Sequence, residues 1–188
     1  MRIIAGKKRG RKLISPKDKT ARPTENRIKE ALFNIISDSI DNAVVLDLFG
    51  GSGALGCEAL SRGAKKVYFN ELRSENYKII KTNLDNLDFN DSAIVNRGDY
   101  RNYLKKLSGK EVFDIVFLDP PYGRGFEFKS LELIREYDIL SQNGFIVLET
   151  DEHIKELKGY DIIDERRYGN IYLFFLKKEV FDDSNIPG

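Results

Sequence analysis

The 188-residue sequence predicts an α/β fold, a mostly parallel sheet with helices on both faces. Two observations predict it. From residue 43 onward, short runs of Val, Ile, Leu and Phe alternate with helical stretches of about ten to fifteen residues, the pattern of successive strand–helix units. The runs are apolar throughout rather than at every second position, as strands buried on both faces require. The length fits a single domain with its own core.

Taken in order, "MRIIAGKKRGRKL" (1–13) has a short apolar start, two glycines and six basic residues. Gly6 and Gly10 interrupt any helical period, so an extended or hairpin arm is expected over 1–22. A helix is expected over 24–40, with Thr24 as N-cap and Ile28, Ala31, Leu32, Ile35 and Ile36 on the face that packs on the following domain. Arg27 stands where Glu or Gln would complete a capping box. Strands are then expected at 43–49, 66–72, 93–99, 113–119, 144–149, near 160–165 and at 171–177. Between them fall helices at 53–63, 74–87, 101–109 and 127–137, and a small helical stretch near 151–157. The body runs over 23–177, and 178–188 reads as a frayed tail.

Composition narrows the chemistry. With 41% hydrophobic and 32% charged residues, a folded soluble protein is expected. No apolar run approaches the roughly 20 residues of a spanning helix, and no signal peptide is apparent, so a cytoplasmic location is expected. Cys57 and His153 are the only cysteine and the only histidine. An intrachain disulfide is thereby excluded, zinc clusters built on these residues are poor hypotheses, and no metal is expected. Cys57 reads as a buried small hydrophobe and His153 as a surface residue. The net charge of +1 conceals an asymmetry: residues 1–29 hold 11 Lys or Arg against two acids, while the remainder holds 20 basic and 28 acidic side chains. A basic arm on a mildly acidic body suggests a polyanionic partner, although a solvated tail has the same composition.

The first strand runs into "DLFGGSGALG" (47–56). Its glycines permit a tight strand-to-helix turn that leaves backbone N–H groups open to a ligand. Gly51, Gly53 and Gly56 satisfy G-x-G-x-x-G, and Glu71 ends the next strand, where its carboxylate can accept both hydroxyls of a ribose. This predicts a nucleotide or nucleoside pocket without choosing between a nicotinamide cofactor and S-adenosylmethionine. Asp47, ahead of the glycines, would hinder a pyrophosphate but could face an ammonium. Asp99, with Tyr100 beside it, could accept from an adenine amino group, cap the following helix, or do both.

"VFLDPPYG" (116–123) ends a strand in an acid, two prolines and an aromatic ring. The prolines stiffen the turn. Asp119 and the carbonyl of Pro120 present two acceptors, matching the two N–H groups of an exocyclic amine. Held so, the amine would aim its lone pair at a methylsulfonium carbon, a reaction that needs orientation more than a strong base. Tyr122 offers a face on which a base can stack. A rigid structural turn would have the same sequence.

These motifs resemble the bacterial 16S rRNA guanine-N2 methyltransferase family, within the Rossmann-like S-adenosylmethionine-dependent methyltransferases. The likeness runs through "RIIAGKKRGRKL" (2–13), "RPTENRIKEALFNII" (22–36), "VLDLFGGSGALGCEALSRGA" (45–64), "DIVFLDPPYG" (114–123) and "ERRYGNIYLFFLKK" (165–178), almost the whole chain. The Asp-Pro-Pro-Tyr stretch is shared by many amino-directed methyltransferases, so the arm and Arg22-Pro23-Thr24 carry the narrower assignment. The resemblance implies a class I methyltransferase sheet of seven strands in the order 3-2-1-4-5-7-6, the last antiparallel. It implies that Asp47, Phe49, Gly50, Gly51, Ser52 and Gly53 wrap the methionine part of the cofactor, that Glu71 holds the ribose, and that Leu72, Asp99 and Tyr100 flank the adenine. Asp119, Pro120, Pro121 and Tyr122 match the catalytic clamp, Tyr122 replacing a commoner phenylalanine. The implied partner is 16S rRNA in the small subunit or an assembly intermediate, with S-adenosylhomocysteine as product and a monomeric enzyme. Lys7, Lys8, Arg9, Arg11 and Lys12 are placed on RNA phosphates, and Arg22, Thr24, Asn26 and Arg27 beside the active site.

Three other readings compete. An amino-methyltransferase for a DNA base shares the clamp, but it would be expected to add a recognition domain for which 188 residues leave no room. A nicotinamide oxidoreductase leaves Asp47 and the prolines without a role. A non-catalytic RNA-binding protein explains the arm alone.

Overall fold

The computed structural model describes residues 1–16 and 23–179, with side chains from residue 26 in the second stretch. Its strands are β1 (Val44–Asp47), β2 (Lys66–Glu71), β3 (Ala93–Arg97), β4 (Phe113–Leu118), β5 (Leu140–Thr150), β6 (Tyr160–Tyr168) and β7 (Ile171–Lys178). They form one sheet in the order β3-β2-β1-β4-β5-β7-β6, as the resemblance implies. The first five are parallel to one another, and β7 runs antiparallel to both β5 and β6. The helices are α1 (Pro23–Ile35), α2 (Ala54–Ser61), α3 (Ser74–Leu87), α4 (Tyr100–Leu107) and α5 (Phe126–Glu136).

Alternate residues of the strands feed two cores. Val45, Val67, Phe69, Ile115 and Phe117 meet buried side chains of α1, α2 and α3 on one face. Leu46, Tyr68, Val116, Leu118 and Leu148 meet those of α4 and α5 on the other. Continuous apolar runs are therefore required at the sheet centre, because both faces are covered.

The structure corrects several expected boundaries. The first helix starts with Pro23, a residue whose fixed φ suits the first helical position, so Thr24 lies inside the helix rather than at its cap. It ends at Ile35, followed by a 3₁₀ turn over Ser37–Ser39 instead of continuing to 40. Ile28, Leu32 and Phe33 are its buried apolar side chains and Ile36 is buried just past its end, whereas Ile35 is 40% exposed. The stretch 151–157 is not helical; it is an irregular link in which Ile154 and Leu157 fill the core, closed by an isolated bridge from Leu157 to Tyr160. β5 starts earlier than expected, at Leu140, through a register shift against β4. A Cβ at Gly144 would lie 2.8 Å from the Phe113 carbonyl oxygen, so the irregular pairing admits only glycine there.

The arm is a docked hairpin over residues 1–13, with an antiparallel bridge from Arg2 to Lys12 and Ile3 and Leu13 buried. This replaces the solvated-tail reading for these residues. Its anchor is Glu58 of α2, fully buried. The Glu58 carboxylate accepts from the backbone N–H groups of Ile4 and Ala5 at 2.8 and 2.9 Å, from Lys29 Nζ of α1 at 3.0 Å and from Arg62 Nε at 2.9 Å. At Gly6 a Cβ would sit 1.8 Å from the Ser61 carbonyl oxygen, so close approach of the hairpin to α2 requires glycine. Residues 17–22 and 180–188 lie outside the described residues.

Candidate active site

Ligands of open parallel sheets bind beyond the C-terminal strand ends. Here four of those ends carry acids: Asp47 on β1, Glu71 on β2, Asp119 directly after β4 and Glu149 on β5. Asp47 is buried, and its Oδ2 accepts from the Gly56 N–H at 3.1 Å. Burial pushes its carboxyl up to about 7 against the pull of that N–H, and the charges of Asp119 and Glu71 add to the rise.

Glu71 locks the glycine turn. Its Oε2 accepts from the Gly51 N–H at 2.9 Å and from Asn76 Nδ2 at 3.4 Å, and its Oε1 from the Arg73 N–H at 2.7 Å. Gly51 and Gly53 have φ of +55° and +75°, a region costly for other residues. At Gly50 a Cβ would lie 2.9 Å from Ile80 Cδ1, which seats the turn directly on α3. The Ser52 carbonyl accepts from Asn83 Nδ2 at 2.9 Å. The same amide exchanges hydrogen bonds with the Ile14 backbone, at 2.8 and 3.0 Å, so it joins the end of the arm to the glycine turn.

On the other flank, Phe49, Tyr100 and Phe126 form an aromatic group with ring centroids 5.1 to 6.4 Å apart. Leu72 projects at the rim, 66% exposed. Asp99 is the N-cap of α4, accepting from the Arg101 N–H at 2.9 Å, and it also pairs with the Arg101 guanidinium at 2.7 Å. The Arg101 side chain holds its carboxyl below the usual carboxylate range, more than offsetting partial burial. Capping and a position beyond the β3 end thus coincide.

In the Asp-Pro-Pro-Tyr turn, Pro120 is buried, Pro121 is exposed and Tyr122 is 40% exposed, with the larger part of its surface covered. Tyr122 Oη donates to Glu149 Oε1 at 2.9 Å. Burial, then the charges of Glu149 and Asp119, push the phenol far above its usual value, so it stays a proton donor throughout the working pH range. The acids suit a cationic ligand: ammonium and sulfonium charges would replace mutual repulsion with attraction. The residues therefore fit S-adenosylmethionine.

A family profile described as "Conserved hypothetical protein 95" matches residues 1–177. The chain is 40% identical to ribosomal RNA small subunit methyltransferase D of Haemophilus influenzae over 154 residues, 81% of this chain and 79% of the relative. It belongs to this methyltransferase family. The chain is also 40% identical over 156 residues to YlbH of Bacillus subtilis, a candidate rRNA methyltransferase, covering 82% and 85% of the two chains. The solved structure of YhhF from Escherichia coli, a candidate methyltransferase, superposes with a TM-score of 0.85 at 32% identity, covering 95% of this chain and 98% of that one.

As a member of the methyltransferase D family, the protein is an S-adenosylmethionine-dependent RNA methyltransferase. The residues expected from sequence at the crevice, Asp47, Phe49, Gly50, Gly51, Ser52, Gly53, Glu71, Leu72, Asp99, Tyr100 and Asp119 to Tyr122, all lie at or just beyond the C-terminal ends of β1 to β4. Of the expected RNA contacts, Lys7, Arg9, Arg11, Lys12 and Arg27 are exposed. Two cations of the hairpin are already engaged: Lys8 pairs with Asp88 at 3.0 Å, and Arg11 donates to the Asn86 carbonyl at 2.7 Å. Asn26 lines a groove of about 360 Å³ between the hairpin and α1, together with Arg2 and Arg9. Arg22 and the side chain of Thr24 lie outside the described residues.

Sequence reasoning missed Glu149, Phe126, Asn83 and the Glu58 hub. For Glu149 a signal existed, because "VLE" (147–149), one residue before the end of its strand, repeats the pattern of "VLD" and "VFLD".

Asp47 yields a pH prediction. Protonation below about 7 removes the charge that a cationic ligand needs, so affinity for S-adenosylmethionine should rise about ten-fold between roughly pH 6 and 8. The native carboxyl binds its proton more tightly than the unfolded one. Stability of the unliganded protein from this group therefore falls as pH rises from about 4 to about 7. Asp47→Asn should bind cofactor weakly with a flat pH profile, yet melt higher than wild type at pH 8. Calorimetric titration and thermal melts read the two effects.

Proposed function

We propose that this protein transfers the methyl group of S-adenosylmethionine to the exocyclic N2 of one guanine in 16S rRNA, within the small subunit or an assembly intermediate, in the cytoplasm. The observation that carries this reading is the Asp119-Pro120-Pro121-Tyr122 turn at the end of β4, one strand from buried Asp47 at the end of β1, which we read as an amine clamp. Family membership supports the rRNA target.

S-adenosylmethionine, when bound, supplies the electrophilic methyl. The protein's own part is orientation. Asp119 and the Pro120 carbonyl accept the two N–H groups, turning the nitrogen lone pair toward the cofactor side. Tyr122 stacks on the base, contributing about 1–3 kcal/mol. Asp119 need not be a strong base, because the proton leaves after the nitrogen has become cationic. No nucleophile is called on: Cys57 is fully buried in α2 and its thiol is pushed up to about 12. The target base must leave its stack, at a cost of a few kcal/mol that the basic hairpin offsets through phosphate contacts.

The test is transfer of labelled methyl to small-subunit particles lacking the modification, beside naked 16S rRNA and duplex DNA, with nucleoside analysis of the product. N2-methylguanosine from the ribosomal substrate is expected. Label in DNA alone, or in no nucleic acid despite cofactor binding, overturns the substrate assignment. Arg9→Glu should weaken RNA binding whatever the target sequence and reduce the salt slope by roughly one or more, raising KM more than it lowers kcat.

A further inference from the structure

We infer that Glu149, aimed by the Tyr122 hydroxyl, selects guanine over the other amino-bearing bases by accepting the N1–H beside the methylated amine. The inference rests on the proposed N2 transfer and deepens it. The Asp-Pro-Pro-Tyr clamp recognises an amine, and adenine, cytosine and guanine all carry one. Their difference lies in the ring nitrogen next to it. In guanine that nitrogen bears a hydrogen, whereas in adenine and cytosine it is an acceptor. A carboxylate beside the clamp therefore attracts guanine and repels the other two.

Glu149 has the required position. Leu118 and Leu148 are the last paired residues of the β4–β5 ladder, so Asp119 and Glu149 follow side by side on adjacent strands, about 5 Å apart along the hydrogen-bonding direction. Both charges act on the same Tyr122 phenol. Glu149 is joined to the clamp through the 2.9 Å bond from Tyr122 Oη to its Oε1. That bond fixes the carboxylate relative to the ring on which the base stacks. A carboxylate offers about four lone-pair sites and so can accept from several donors at once. The hydroxyl, which a phenylalanine would lack, thus has a function in this chain.

The test uses small subunits whose 16S rRNA carries either guanine or 2-aminopurine at the methylated position. 2-Aminopurine keeps the N2 amine but presents N1 as an acceptor. Wild type should prefer guanine by about 10³-fold or more in kcat/KM, since a site built to accept a hydrogen bond rejects a ligand that cannot donate it. Glu149→Gln, whose amide can donate to N1, should lose activity on guanine and bring the two substrates within about ten-fold of each other. Tyr122→Phe should keep the stacking ring and lower the preference by about ten-fold, through a loosened carboxylate. Equal use of both bases by wild type, or a full guanine preference in Glu149→Gln, overturns the inference while N2 transfer to guanine stands. Absence of N2-methylguanosine from the guanine substrate overturns the proposed reaction and this inference with it. If Glu149→Gln does not bind cofactor, the Tyr122→Phe ratio decides: an unchanged preference overturns the inference.

Discussion

Asp119→Ala is expected to lower the single-turnover rate of methyl transfer by about 10²- to 10³-fold, with affinity for S-adenosylmethionine held within a few-fold. The reasoning starts from the amine. A guanine N2 lone pair is delocalised into the ring, and the reaction requires it to be redirected toward the sulfonium carbon. Only acceptors fixed at both N–H groups do that, and the stiff Pro120-Pro121 turn after β4 fixes the Asp119 pair in place. Alanine removes one acceptor and leaves the amine free to rotate. Asn at the same position retains a carbonyl oxygen, so Asp119→Asn should lose less, about ten-fold. A rate in Asp119→Ala within ten-fold of wild type would sink the clamp. Parallel loss of cofactor binding would instead move Asp119 into the cofactor site.

Glu58→Ala is expected to destabilise the protein by about 3–5 kcal/mol, the range for breaking a buried ion pair by removing one partner. Lys29 is 3% exposed on its side chain and would be left with no counter-charge from Glu58, and the Ile4 and Ala5 N–H groups would lose their acceptor. Urea unfolding at pH 7 measures this, and a loss below about 1 kcal/mol would refute the hub. The pH sign follows from the same contacts. Burial alone would raise the Glu58 carboxyl, but Lys29, the Ile4 N–H and Arg62 outweigh it and hold it below its usual value. Its stabilising contribution is thus present above about pH 4.3, the unfolded value, and is lost as pH falls through the lower folded value. Wild type and Glu58→Gln should differ most near neutrality and converge in acid.

The hub bears on function as well as stability. It holds the hairpin that presents Arg9, and Asn83 carries the end of that hairpin to the Ser52 carbonyl in the glycine turn. Loss of hairpin docking is therefore expected to disturb both RNA capture and the cofactor loop.

Legibility differed between kinds of feature. The strand positions followed from runs such as "FDIVFL", because a strand covered on both faces has no polar side to display, whereas the order of the strands in the sheet came from the family resemblance. Asp47, Glu71 and Asp119 could be read from their places at strand ends, where the chain leaves the sheet at a predictable edge. Helix ends and the link at 151–157 were less legible, since Ile154 and Leu157 have a helical spacing that core burial in an irregular turn satisfies equally well.

The sequence by itself determined the α/β class, the acids at the ends of β1, β2 and β4 and the stiff Asp-Pro-Pro-Tyr turn, since each is written in residues a few positions apart along a strand or turn. Tertiary structure alone decided that the basic arm is a docked hairpin, that Glu58 collects donors from positions 4, 5, 29 and 62, and that Glu149 meets Tyr122. Those contacts join residues up to 54 positions apart, and no local periodicity records which distant donor a buried carboxylate will meet.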